Sequence, residues 1–341
     1  MNAFSSLLAS LPAAHGGYLG QTIALAVAVS WTVCALLSET VSRRLGAHVV
    51  NVLRMVLSLL FIGALLWVCT GSPLPPRADA TTWGWLLASG AVGYVFGDYC
   101  LFNAYLLIGS RFGQLFMTLA PAVSAVAGWL LLGERLSAQA LAGMAVTMTG
   151  SAGAILGRGA PEGENEGRRR RKVRLNLPTR GGLLGIGAGV GQGLGLTLSA
   201  VGLHHYAADW AHGAASTAPA AAAHLRWLLP FAATQMRAVA GLPGFLLILF
   251  LAGKGGALRR ACTDGRGWLL MAATVVFGPF VGVSLSLMAT QYTSTGVAMT
   301  IMSLSPVLIL WPAHVLFGQR VTRREVLGAL ISVAGVALFF V

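Results

Sequence analysis

TLAPAVSAVAGWLLLGERLSAQALAGMAVTMTGSAGAIL, residues 118–156, holds two apolar runs joined by the short polar turn Gly133-Glu134-Arg135-Leu136-Ser137. Each run is close to the roughly 20 residues a helix needs to cross a bilayer. Residues 303–340, SLSPVLILWPAHVLFGQRVTRREVLGALISVAGVALFF, have the same design. At a constant offset of 185, residues 83–156 and 268–341 share 14 of 74 positions. That number is modest in an Ala-, Gly- and Leu-rich chain, but the residues that coincide are not ordinary ones. They include Trp83/Trp268, Gly93/Gly278, Gly97/Gly282, Pro121/Pro306, Gly133/Gly318, Arg135/Arg320, Gly143/Gly328 and Gly150/Gly335. Arg54 and Arg237 correspond at an offset of 183, which carries the repeat back to the second and seventh apolar runs.

The rest of the 341 residues follow suit: 56% are hydrophobic and only 10% charged, against about 25% charged in a soluble globular chain. Ten apolar runs recur, at 20–38, 47–70, 82–108, 111–132, 136–156, 181–203, 229–252, 267–291, 296–317 and 323–341. Backbone amides in hydrocarbon must be satisfied internally, and continuous runs without two-residue alternation exclude a barrel. The expected fold is an all-α polytopic membrane protein with ten transmembrane helices. Residues 1–19 carry no basic n-region, so no signal peptide is expected there. Four scattered cysteines give no metal-ligand spacing, and neither a metal nor a cofactor is expected.

The net charge of +13 is organised by topology. Of 23 lysines and arginines, 18 lie in the first, third, fifth, seventh and ninth loops and 3 in the others, with Arg54 and Arg237 inside spans. The positive-inside rule then puts the odd loops in the cytoplasm and both termini outside. That accounts for the charge without nucleic acid as a partner. The basic run within 168–174 reads as a topology determinant or a contact for anionic lipid. Five spans per copy is an odd number, so the copies, 20–156 and 181–341, are inverted relative to each other across the basic linker 157–180. Their matching loops differ in basic content, as loops on opposite sides would: Arg77 stands alone after the second span, while four basic residues follow the seventh. Inverted repeats are the architecture of secondary transporters.

The Pro of the fourth span, the Gly-Glu pair after it and the glycines spaced by seven resemble the EamA-type repeat of the drug/metabolite transporter superfamily. Here they are Pro121, Gly133-Glu134, Gly143 and Gly150, then Pro306, Gly318, Gly328 and Gly335, while Trp31 and Arg54 also match family positions. The resemblance implies efflux of a small organic solute (an amino acid, metabolite or drug-like compound) across the inner membrane, coupled to protons. Two departures stand out: Gln319 replaces the second Glu, and residues from about 204 to 228 form an insertion expected as an external helix or cap.

Polar groups inside a membrane are costly, so each is a functional candidate. Asp98 is the one carboxylate well inside a span, with Tyr94, Phe102 and Tyr105 on its helical face. It is the candidate proton-coupling group; the competing reading is a structural ion pair with Arg54, which lies at similar depth. Arg237 has no carboxylate well inside spans six to ten to pair with, Glu325 lying at the very start of the tenth, and is expected to meet an anionic part of the substrate. Trp31, Gln114 and Gln192 complete the candidate substrate set with Arg54, Tyr94, Asp98 and Arg237. Helix packing is the first reading of a lone glutamine such as Gln192, and Glu134 reads as a helix-end cap. Gly185/Gly189/Gly193 and Gly187/Gly191/Gly195 form two small-residue faces for close helix packing, not a phosphate loop. The rival classes are an intramembrane enzyme, which would need clustered His, Asp or Cys, and a non-transporting or lipid-flippase-type bundle of the same fold.

Overall fold

The computed structural model describes residues 18–157, 179–215, 225–261, 264–310, 312, 315 and 322–341. Every element among them is helical. Helices α1 (Leu19–Leu45) and α2 (Ala47–Thr70) meet at Gly46. Next come α3 (Ala80–Gly90), a π-helical stretch (Ala91–Asp98), α4 (Tyr99–Met117), α5 (Ala120–Leu132) and α6 (Ala138–Gly157). The second half has α7 (Thr179–Ala215), α8 (Leu229–Leu251), α9 (Gly255–Ala261), α10 (Gly265–Val275) and a second π-helical stretch (Val276–Val283). It closes with α11 (Ser284–Ala289), α12 (Thr295–Met302), α13 (Ser305–Leu308) and α14 (Arg323–Ala337). Seven helical segments among the described residues are long and apolar enough to cross a membrane. The expected third span is divided between α3, the π stretch and α4, and the tenth is α14 extended by a 3-10 turn, Leu338–Phe340. The ninth includes residues outside those described.

The chain punctuates these helices with ordinary chemistry. Asp79 caps α3 by accepting from the Thr82 amide at 2.7 Å, and Asp264 caps α10 by accepting from the Gly267 amide at 3.1 Å. Thr322 and Glu325 form a reciprocal capping box at the start of α14. Gly133 ends α5 at φ +67°, a left-handed conformation that a side chain would strain.

Helix α7 is the hub of the bundle, and its glycines are the reason. A Cβ on Gly191 would lie 2.7 Å from the Gly97 Cα, and one on Gly195 would lie 2.6 Å from the Gly93 Cα. On its other face, Cβ atoms on Gly189 and Gly193 would lie 2.6 Å from the carbonyls of Phe116 and Ala120. Both small-residue faces are therefore in use, one against the first π stretch and one against the fourth span. Going up α7, partners descend from Ile108 through Gly97 to Leu86 but ascend from Phe116 to Ser124. The order of partners along α7 thus changes direction within the element Tyr99–Met117, between Ile108 and Phe116.

One expectation is corrected here. The sixth span does not end at 203 before a separate cap; α7 runs on to Ala215. Tyr206 is fully buried and donates to the Pro76 carbonyl at 2.9 Å, and the Thr82 hydroxyl donates to Asp209 at 2.8 Å. The first part of the insertion is thus helix, docked on the entry to α3. Residues 216–224 of the insertion, the linker 158–178 with its basic run 168–174, and Gln319 lie outside the described residues.

Helices α6 and α14 cross antiparallel through glycine. A Cβ on Gly143 would lie 3.0 Å from the Gly335 carbonyl, and one on Gly328 would lie 2.7 Å from the Gly150 carbonyl. Thr147 and Ser332, exactly one repeat offset apart, donate to each other's carbonyls at 3.5 and 3.2 Å.

Candidate functional site

The eight residues 91–98 and the eight residues 276–283 are both π-helical, and they too are separated by the offset of 185. A π turn shifts the register of every side chain after it and is often found at functional sites. In the first stretch it presents Tyr94 and Asp98 to the interior, 6% and 7% exposed. Arg54 on α2 donates through Nη2 to Asp98 Oδ2 at 2.6 Å. Gln192 on α7 donates through Nε2 to Asp98 Oδ1 at 2.8 Å and reaches the Gly93 carbonyl at 3.3 Å. Each carboxylate oxygen therefore has a donor from a different helix, one in each half of the chain. A buried carboxylate held this way can persist as an ion because both its charge and its hydrogen bonds are matched.

Arg237 enters from α8, 5% exposed, and lays its guanidinium over the Tyr94 ring, 4.6 Å from the centroid. A cation on an aromatic face is attracted by the ring quadrupole. Among the described residues it has no ion pair, and its Nε is buried without a hydrogen-bond partner. Gly93 makes the room: a Cβ there would lie 3.1 Å from Arg237 Nη2. Arg54 Nε, Ser58 Oγ and the Tyr94 hydroxyl are likewise buried without partners.

Of the seven candidate substrate residues, the structure gathers Arg54, Tyr94, Asp98, Gln192 and Arg237. Trp31 packs on the other π stretch, where a Cβ on Gly282 would meet its ring at 2.7 Å. The side chains of Gln114, Phe102 and Tyr105 lie outside the described ones. Asp98 is satisfied by an arginine and a glutamine, the first of them the Arg54 ion pair that was the competing reading of the sequence. Gln192 does more than join two helices, because its partner is Asp98 itself. Sequence reading passed over Gly93 as a site residue. Its signal was the Gly93/Gly278 coincidence, which marked it as a place where no side chain fits.

The Gly133-Glu134 pair also acquires a partner. Glu134 accepts from the Thr295 amide at 3.0 and 2.9 Å and from its hydroxyl at 2.7 Å. It is a cap, as expected, but for the first turn of α12 in the other half of the chain. No group of three or more His, Cys, Asp or Glu residues able to hold a metal occurs among the described residues.

These long apolar helices around a buried polar cluster make the chain a multi-pass membrane protein. Residues 18–156 and 210–341 match the EamA-like transporter family, and the chain belongs to that family. In fold it is similar to a solved crystal structure, with a TM-score of 0.63 over 95% of this chain and 96% of the other at 15% identity. No curated protein matches the chain in sequence.

Proposed function

We propose that the protein is a secondary transporter that moves a small organic solute across the inner membrane by alternating access, as proton-coupled efflux. The observation that carries this reading is the buried cluster of Arg54, Asp98, Gln192, Arg237 and Tyr94, built from both halves of the chain. In this reading 20–156 and 181–341 are two inverted five-helix repeats with both termini in the periplasm. The exchange of hydrogen bonds between Thr147 and Ser332, which occupy the same position in each copy, supports a two-fold axis between antiparallel α6 and α14. Two copies related in this way can swap conformations, which converts an inward-open state into an outward-open one around a central site. Asp98 serves as the proton carrier: protonation removes its charge, loosens Arg54 and Gln192, and frees the helices they tie together.

Reconstitution into liposomes tests the proposal with a panel of labelled amino acids, carboxylates and amines under an imposed pH gradient. Saturable, gradient-driven flux of a panel member is the expected result. Scrambling of a fluorescent lipid with no solute flux would instead favour the flippase-type reading. Product formation from a solute would favour an enzyme.

A further inference from the structure

The charges at the centre do not balance. Arg54 and Arg237 contribute two positive charges and Asp98 one negative, leaving the site one positive charge in excess. Four of the polar atoms buried without partners belong to the residues of this cluster or to the turn of α2 after Arg54, while the unpartnered amide oxygens of Gln21 and Gln235 belong to neither. Arg54 Nε, Arg237 Nε, Ser58 Oγ and the Tyr94 hydroxyl can each donate, and Ser58 is 0% exposed. Buried donors are normally paired, because an unmade bond in a low-dielectric interior is expensive. Four donors beside an excess positive charge describe a receptor for an oxyanion. Arg54, Ser58 and Phe61 fall on one face of α2 at helical spacing. Phe61 meets Phe280 edge-on with centroids 6.4 Å apart, Phe280 meets Phe231 at 5.6 Å, and Phe231 meets Trp227 at 5.8 Å. The aromatic chain leads away from the donors along α2 and α8.

We propose that Arg237, Arg54 Nε, Ser58 and Tyr94 bind the carboxylate of an organic monoanion whose apolar body lies along Phe61 and Phe280. This rests on the transport reading and names its substrate class. With Asp98 kept on Arg54, one monoanion makes the site neutral, whereas a dianion leaves a negative excess and an amine a second positive one. The two parallel N–H groups of a guanidinium fit a carboxylate, and a lysine ammonium does not reproduce them.

Purified full-length protein in liposomes, probed with labelled phenylacetate, phenylacetamide, phenethylamine, acetate and phenylmalonate, tests the assignment. Saturable phenylacetate flux should exceed that of the amide, the amine and the dianion by about tenfold or more, and acetate should be weaker than phenylacetate. Arg237→Lys should raise the phenylacetate half-saturation about tenfold. Ser58→Ala and Tyr94→Phe remove donors that have no hydrogen-bond partner within the protein. They should therefore weaken phenylacetate binding while leaving the melting temperature unchanged or raised, a combination that a purely structural role does not produce. The proposal is overturned if amide or amine moves as well as phenylacetate, or if Ser58→Ala and Tyr94→Phe leave phenylacetate affinity intact. Flux of amines or neutral solutes without any monoanion sinks this assignment while the transport reading stands; no flux of any solute sinks both.

Discussion

The two π-helical stretches, Ala91–Asp98 and Val276–Val283, share a backbone and differ in chemistry. Both carry glycine at the third and seventh positions, Gly93 and Gly97 against Gly278 and Gly282. The first places Tyr94 and Asp98 where the second has Pro279 and Val283. Both repeat-related arginines turn to the first stretch, Arg54 to Asp98 and Arg237 to the Tyr94 ring. The scaffold is thus duplicated while the polar payload sits on one side.

The largest effect should come from breaking that asymmetry at Asp98. Arg54→Gln leaves a buried carboxylate with only Gln192, a situation that costs about 3–5 kcal/mol. Arg237→Gln strands no carboxylate and should cost far less. Melting curves in detergent should rank the two in that order, and Asp98→Asn added to Arg54→Gln should restore most of the loss. If Arg54→Gln melts like wild type, the pair is not the anchor of this region. For transport, Asp98→Asn should abolish the dependence of flux on pH while the protein stays folded.

Next in size are the glycines under each stretch. An added Cβ at Gly191 meets backbone, the Gly97 Cα at 2.7 Å, whereas one at Gly278 meets the Cys34 sulfur at 2.9 Å. A side-chain end can move and a helix backbone cannot. Gly191→Ala should therefore cost about 1–3 kcal/mol through overpacking, and Gly278→Ala clearly less. Equal losses would mean that the two stretches are packed equally tightly. Smaller again is the contact between the halves at Thr147 and Ser332. Thr147→Val and Ser332→Ala should each cost about 0.6 kcal/mol, the average for polar contacts between membrane helices. The double variant should come close to the sum, because each hydroxyl bonds the other residue's backbone carbonyl, which neither substitution removes.

Much of this was legible in the sequence. The repeat offset singled out Gly93, Gly97, Gly143 and Gly150, the glycine spacing of α7 marked its two close-packing faces, and counting helical rise put Arg54 and Asp98 at similar depth. Other features depended on contacts that no local pattern encodes. Glu134 has its recipient, Thr295, 161 residues away, and a cap across the chain leaves no spacing to read. The π turns hide because the residues that form them also suit an α-helix, yet they set the direction of Asp98. The length of α7 was missed for a different reason. His204, His205 and Asp209 lower its hydropathy as if the helix had ended, while Tyr206 and Trp210 keep it docked.

The smallest effect concerns a second repeat-related pair, Asp79 and Asp264, which cap the helices leading into the two π stretches. Their carboxyls are both held below the ordinary aspartate value, for different reasons. The leading cause for Asp79 is the hydrogen bond from the Thr82 amide; for Asp264 it is the hydrogen bond from Arg44. Arg44 reaches Asp264 through Nε and Nη2, the latter at 2.7 Å from Oδ1, in a solvent-exposed setting where salt screens the attraction. A carboxyl whose folded value is depressed stabilises the fold fully above its unfolded value, near 4. That contribution disappears as the pH falls through the depressed folded value. Arg44→Gln should therefore lower the melting temperature slightly at neutral pH and low salt. The gap to wild type should close as the pH drops below about 4 or as salt is raised. Thr82→Pro would remove the amide that caps on Asp79 but disturbs the helix itself. The cleaner comparison is Asp79→Asn with Asp264→Asn, since asparagine keeps the capping oxygen without the charge. Asp264→Asn should lose the Arg44 ion pair and with it the salt dependence, whereas Asp79→Asn should leave that dependence intact. If both variants respond to salt alike, the two caps are electrostatically equivalent and the ion pair adds nothing beyond the cap.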